Sequence, residues 1–232
     1  MKLGIMQPYF MPYLGYWQLM NAVDKYVLLD DANYIMRGFI NRNSILLNGK
    51  AHMFSIPIHK ASQNKLINET ELNFEIKDKE NLINTLSLAY KKAPYYNDFF
   101  PILKDIILFD EKDLVKYIKN SIEKIAEYSN IKTEILISSK LNKNHELKSQ
   151  ERIIEINKVL NSSVYINAIG GVELYDKKDF NGQNIELKFI KTLPYEYKQF
   201  KNDFVPNLSV IDVLMFNSKE DVKKLLDNYE LI

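Results

Sequence analysis

The feature that most constrains this chain is its opening. A short apolar run, Leu3-Gly4-Ile5-Met6, stops at Gln7-Pro8, and a second, Tyr26-Val27-Leu28-Leu29, stops at Asp30-Asp31. Uninterrupted apolar runs of this length have the pattern of strands buried on both faces. Between them, residues 13–22 carry apolar side chains at helical spacing, and Pro12 suits a first helical turn, where its missing N–H costs nothing. The expectation is a βαβ unit, its two strands parallel neighbours joined by a right-handed crossover.

The rest of the chain extends that plan. Residues 52–58 read as a strand in which Pro57 belongs at an edge or an end. Residues 78–92 and 113–128 read as helices, the second placing Leu114, Ile118, Ile122 and Ile125 on one stripe, and Pro94 and Pro101 punctuate this helical middle. Strand character returns at 134–137. A helix over about 150–160 follows Ser149 as its expected cap, and 164–167 forms a strand leading into Gly170-Gly171. Residues 185–190 alternate as another strand, and two short helices, at about 209–216 and 219–226, end the chain. The expected fold is α/β: one domain over residues 1–232, with a mainly parallel Rossmann-like sheet and a helical lobe inserted at about 78–130.

Composition narrows the function. With 46% hydrophobic and 26% charged residues the chain can fill a core of its own, and 12% aromatic residues leave some to line a cleft. The balance of 31 Lys+Arg against 30 Asp+Glu gives the molecule no field to draw in nucleic acid or an anionic membrane. The absence of cysteine removes disulfides, thiolate metal sites and a thiol nucleophile. No apolar run is long enough for a signal core or a membrane span, so a cytoplasmic protein is expected.

Candidate site residues cluster where strands end. Gln7, Tyr9, Tyr13, Gly15 and Tyr16 fall in a loop running into a helix N-terminus, a natural cradle for phosphate or carboxylate; the plainer reading is a proline-stiffened turn covered by aromatics. Asp30 and Asp31 close the second strand, where open α/β sheets place their ligand crevice. Tyr34, Arg37, Asn41 and Arg42, with Asn43, bring two guanidinium forks suited to anions. Asn167, Gly170 and Gly171 follow a later strand and face the same sheet edge as Gln7. Tyr197 and Gln199 resist a structural explanation, whereas Ser209-x-x-Asp212 and Ser218-x-x-Asp221 fit helix capping boxes. His52 is the best candidate base beside Asp30; no histidine has a partner at metal-ligand spacing, so no metal site is expected, and the cofactor stays unassigned. No Walker A, G-x-G-x-x-G or G-x-S-x-G sequence occurs, which lowers the P-loop, nicotinamide and triad readings. The segments near 7–16, 30–42 and 167–171 are expected to meet around one polar cavity.

The opening is similar to that of nucleotidylyltransferase-like proteins such as pantothenate synthetase, but Tyr13-Leu14-Gly15-Tyr16 stands where those carry His-x-Gly-His. That departure weakens an ATP-dependent ligase reading. Taken in order, Gln7-Pro8-Tyr9-Phe10-x-Pro12-Tyr13-Leu14-Gly15-Tyr16, Asp30-Asp31, Asn41-Arg42-Asn43, Tyr165-Ile166-Asn167 with Gly170-Gly171, and Leu208-Ser209-x-x-Asp212 resemble the WbqC-like family over nearly the whole chain. The resemblance implies a part in making O-antigen, capsule or a related bacterial glycan. It points to a transferase forming an amide on a nucleotide-linked sugar, with a sugar nucleotide or other small molecule as ligand and other glycan enzymes as partners. A non-catalytic scaffolding subunit is the alternative.

Overall fold

A computed structural model describes residues 1–201 and 203–232. Its centre is a six-stranded sheet. Strand β1 (Lys2–Met6), helix α1 (Leu14–Asn21) and strand β2 (Lys25–Leu28) form the expected βαβ unit, with β1 and β2 parallel and Leu3 opposite Lys25. Two antiparallel pairs follow, β3 (Arg42–Leu47) with β4 (Lys50–Ser55) and β5 (Ile58–His59) with β6 (Glu71–Leu72). Pro57 sits between β4 and β5, so the single strand expected over 52–58 is broken there. Helices α2 (Ile76–Tyr90), α3 (Tyr96–Leu108) and α4 (Leu114–Tyr128) come next, and Pro101 lies inside α3 rather than ending a helix.

The sheet then resumes with β7 (Glu134–Ile137), helix α5 (Ser149–Val159), β8 (Val164–Ala168), helix α6 (Lys177–Asn181), β9 (Glu186–Thr192), helices α7 (Val210–Phe216) and α8 (Lys219–Asp227), and β10 (Tyr229–Leu231). Spatially the strands run β10-β9-β8-β1-β2-β7, all parallel except β10, which pairs antiparallel to β9 at the edge. The chain thus winds outward from β1 through β2 to β7, jumps back, and winds the other way from β8. In such sheets the crevice opens at the carboxyl ends of the two strands flanking the reversal, here β1 and β8.

Alternation along these strands feeds two cores. On one face Leu3, Ile5, Val27, Tyr165 and Leu187 pack with Ile153 and Ile156 of α5 and Phe180 of α6. On the other, Tyr26, Leu28 and Ile166 join α1, α7 and α8 and run on into α2, α3 and α4. Helix α4 shows why its sequence is helical: Leu114, Ile118, Ile122 and Ile125 are fully buried, and Asp113 caps it by accepting from the Lys116 N–H at 3.0 Å.

Three caps differ from expectation. Ser149 is the first residue of α5 rather than its cap; Lys148 holds the cap position with no side-chain hydrogen bond, and Ser149 adopts a φ of 46°. Ser209 does cap α7, accepting from the Ile211 N–H, but Asp212 turns into the interior instead of completing the box. Ser218 caps α8 by accepting from the Asp221 N–H, but the Asp221 carboxylate accepts from the Ser218 hydroxyl and not from its backbone N–H, so the box is half-formed.

Candidate functional site

The carboxyl ends of the parallel strands place Gln7, Asp30, Asp31 and Asn167 along one rim, but the cavity that Asp31 lines takes no residue from segments 7–16, 34–42 or 167–171, so these are not gathered around one cavity as expected. On the α1 face the rim is aromatic. Tyr16, buried, donates to the Gln7 carbonyl at 3.1 Å, Tyr9 donates to Gln7 Oε1 at 3.4 Å, and the Tyr9 ring lies 5.7 Å from Tyr16 and 6.5 Å from Phe39. Burial pushes the Tyr16 and Tyr9 phenols up, so neither is a ready base. Tyr13 is partly exposed and covers Gly15, where a Cβ would come within 2.6 Å of the Tyr13 ring. Glycine there leaves room for the close approach of the Tyr13 ring and the Thr192 hydroxyl.

The Arg37 to Asn43 segment spends most of its polar groups on its own fold. Asn41 accepts from Tyr34 at 2.8 Å and donates to the Ile56 carbonyl, Asn43 donates to the Met11 carbonyl at 2.7 Å, and Arg42 donates through Nε to the Gly38 carbonyl. Arg37 is exposed at the loop tip with a φ of 59°. His52 is exposed on β4 opposite Ile45 and does not line the cavity at the sheet mouth.

Tyr197 and Gln199 belong to a third place. Together with Tyr90 they donate to the buried Asp212, at 2.7, 2.6 and 2.9 Å, and Gln199 also bonds both backbone groups of Val205. Burial holds the Asp212 carboxyl above its ordinary value despite these donors. This knot ties the 193–208 loop to α2 and α7.

The α5 face of the sheet mouth carries a cavity of about 650 Å³, lined by Leu29, Asp31, Asn33, Asn68, Ser139, His145, Lys148, Ser149, Arg152 and Tyr175 among others. Asp30 stands behind it, both oxygens taken by Ser139: the backbone N–H at 2.8 Å and the hydroxyl at 2.6 Å. That bond ties the end of β2 to the turn after β7. Asp31 faces different partners, both residues lying in the turn that follows β2. Its Oδ2 accepts from the buried Lys143 at 2.6 Å, its backbone carbonyl accepts from Arg152 at 2.8 Å, and His145 lies 3.9 Å off. Burial alone would raise the Asp31 carboxyl, but the Lys143 ammonium, the Ser138 hydroxyl and, beyond them, Arg152 override this and hold it below its ordinary value.

Asn167 is buried beside this cavity. A Cβ on Gly171 would fall 2.5 Å from Asn167 Nδ2 and 3.4 Å from the Tyr175 ring, so the second glycine clears space for both. A Cβ on Gly170 would meet nothing within 4 Å, and nothing in the structure explains that glycine.

Lys143, His145, Lys148 and Arg152 are not picked out as site residues by the sequence, because they lie more than a hundred residues from Asp31 and match no motif, and Ser149 reads there only as a helix cap. Their spacing was the available signal: a charged run entering a helix that leads into a strand next to β1.

The WbqC-like protein family profile matches residues 7–224. The chain belongs to that family. This WbqC-like chain is also 24% identical over 221 residues to "Uncharacterized protein Rv1507c" of Mycobacterium tuberculosis (strain ATCC 25618 / H37Rv), covering 93% of each. No solved structure matches. No helix among the described residues is long and apolar enough to cross a membrane, and no group of three or more acidic or histidine side chains there could hold a metal ion.

Proposed function

We propose that this WbqC-like protein is a transferase of bacterial surface-polysaccharide biosynthesis that binds a nucleotide-linked sugar at the carboxyl end of its sheet and forms an amide on it. The observation that carries this reading is the polar cavity at the carboxyl ends of β2 and β7, on the same edge of the sheet as the β1/β8 reversal, with cationic and amide side chains and the Tyr175 ring in its lining. In the reaction the sugar amine attacks an activated acyl group, the new C–N bond replaces the bond from acyl to its carrier, and the amine proton passes to a base. Asp30 and His52, the bases expected from the sequence, fit poorly: one is doubly bonded to Ser139 and the other sits on the hairpin.

Nucleotide-linked amino sugars and acyl donors incubated with the purified protein, with products read by mass spectrometry, test this. A product heavier by the acyl group is expected, together with a thermal shift from the sugar nucleotide alone. No shift and no product with any donor would overturn it. The second reading, a non-catalytic subunit of a glycan assembly complex, draws on exposed apolar side chains on both rim loops, Ile35, Met36 and Phe39 before β3 and Ile169, Val172 and Leu174 after β8. Capture of partner glycan enzymes without turnover would favour it.

A further inference from the structure

We propose that the cavity framed by the β3–β4 turn, the end of α2 and residues 198–201 binds an anionic amphiphile, a carboxylate or phosphate head carried on an aliphatic chain. It shares no lining residue with the cavity at the sheet mouth, so it stands apart from the transferase reading.

Size and floor are the first argument. The cavity holds about 820 Å³, within the range of about 300–1,000 Å³ that small-molecule sites occupy. Its floor is aliphatic: Leu46, Leu47, Ala89 and Leu88, the last 64% exposed, with Phe200 beside them. One exposed leucine needs no explanation, but a leucine in an apolar hollow offers surface that a hydrocarbon chain would take out of water.

The rim is cationic. Lys91, Lys92, Lys198 and Lys201 line the cavity, all four exposed, and no acidic residue does so among the described residues. The ion pairs among the described residues use other lysines. Lys91 and Lys92 also offset the negative end of α2, whereas Lys198 and Lys201 lie on no helix and have no such task. Four like charges around one hollow repel one another, and an anionic head at its mouth relieves that repulsion.

The walls are held from behind. Tyr90, the last residue of α2, accepts from the Leu46 N–H at 2.9 Å and donates to Asp212 at 2.9 Å. Gln199, 1% exposed between Lys198 and Phe200, donates to the same carboxylate at 2.6 Å. One buried aspartate thus joins all three sides of the cavity. Phe200 holds a φ of 52°, a left-handed conformation costly for an aromatic residue, and packs edge-on against Phe216 at 4.7 Å. Strain of that kind persists only where the surroundings impose it, and here it leaves Phe200 lining the cavity between two lysines.

The lining decides what kind of anion fits. Asn48 is the one neutral polar side chain among the described lining residues, too little to read a base edge and ribose hydroxyls, whereas leucine surface suits a saturated chain. A hollow also suits a single molecule better than the face of a bilayer.

Titrations of the isotope-labelled full chain, read by calorimetry and by backbone amide NMR, test this with octanoate, decanoate, decyl phosphate, decyltrimethylammonium, acetate and UMP, each below its micelle-forming concentration. Decanoate and decyl phosphate are expected to bind and to shift the amides of Asn48, Leu88 and Phe200. Decanoate is expected to bind about tenfold more tightly than octanoate, as two more buried CH2 groups imply. Decyltrimethylammonium and acetate are expected to bind at least about tenfold more weakly than decanoate, and its affinity to fall as salt rises. Leu88→Asn is expected to weaken decanoate about fivefold and the double variant Lys198→Glu, Lys201→Glu about tenfold, while Lys104→Glu, on α3 outside the cavity, changes nothing. All these positions are exposed, so unchanged thermal unfolding separates lost binding from lost folding. Equal affinity for decyltrimethylammonium, tighter binding of UMP, shifts confined to other parts of the chain, or no binding at all would overturn the proposal. Capture by phosphatidylglycerol vesicles without binding of the monomeric amphiphiles would overturn it too, since the lysines would then face a membrane. A preference between decanoate and decyl phosphate supports the site and names its head group.

Discussion

Two buried aspartates, Asp212 and Asp31, show how differently one residue type can be used in a single molecule. Asp212 is enclosed by neutral donors, Tyr90, Tyr197 and Gln199, and its carboxyl is held up by burial. Asp31 faces the Lys143 and Arg152 cations and the Ser138 hydroxyl, and its carboxyl is held down. The first is met by neutral donors and knits three elements together; the second is met by charges and lines a cavity. Burial by itself is therefore a poor guide to function, and the better guide is whether the buried group's partners add up.

The contrast can be broken at its strongest point with Asp212→Ala. Three buried donors would lose their acceptor, and urea unfolding is expected to show a loss of about 4 kcal/mol. A loss below about 1 kcal/mol would mean the knot does not hold the 193–208 loop. Asp31→Asn comes next, since it leaves buried Lys143 without its counter-charge; a loss of about 3 kcal/mol is expected. Titration separates the pair further. The Asp212 carboxyl is raised on folding, so its stability contribution is complete below the ordinary carboxyl value near 3.8 and drains away as pH rises through the higher folded value. The Asp31 carboxyl is lowered, so its contribution is complete above that value and disappears as pH falls through the lower folded one. Unfolding curves for Asp212→Asn should therefore lose the alkaline-going decline and those for Asp31→Asn the acid-going one; the same slope change in both would erase the distinction. Tyr197→Phe removes one donor of the three and is expected to cost about 1 kcal/mol in the same assay.

The sequence was most legible where chain neighbours settle the structure. The opening βαβ unit followed from two apolar runs and one helical period, and the α4 stripe from spacing alone. The β3–β4 hairpin was missed although Asn48-Gly49 announces it: both residues have positive φ, 52° and 72°, as a two-residue hairpin turn demands. The three-residue β10 exists only because β9 offers an edge, which no local pattern records. At the candidate site the strand-end residues were visible, but their partners were not. Asn41, Asn43, Tyr197 and Gln199 look like ligand groups until the fold supplies the carbonyls and the carboxylate that occupy them. Lys143 and Arg152 look like solvated helix-flanking charges until the crossover between β7 and β8 carries them to Asp31.

The length of chain between Asp31 and these partners has a kinetic meaning. Lys143 and Arg152 reach Asp31 across 112 and 121 residues of chain, with α2, α3 and α4 made in between. Contacts so remote in sequence close late, after local helices and the first strand pair have formed. Whatever fills the cavity meets a nearly finished molecule, so it should slow unfolding while leaving the rate of folding almost untouched.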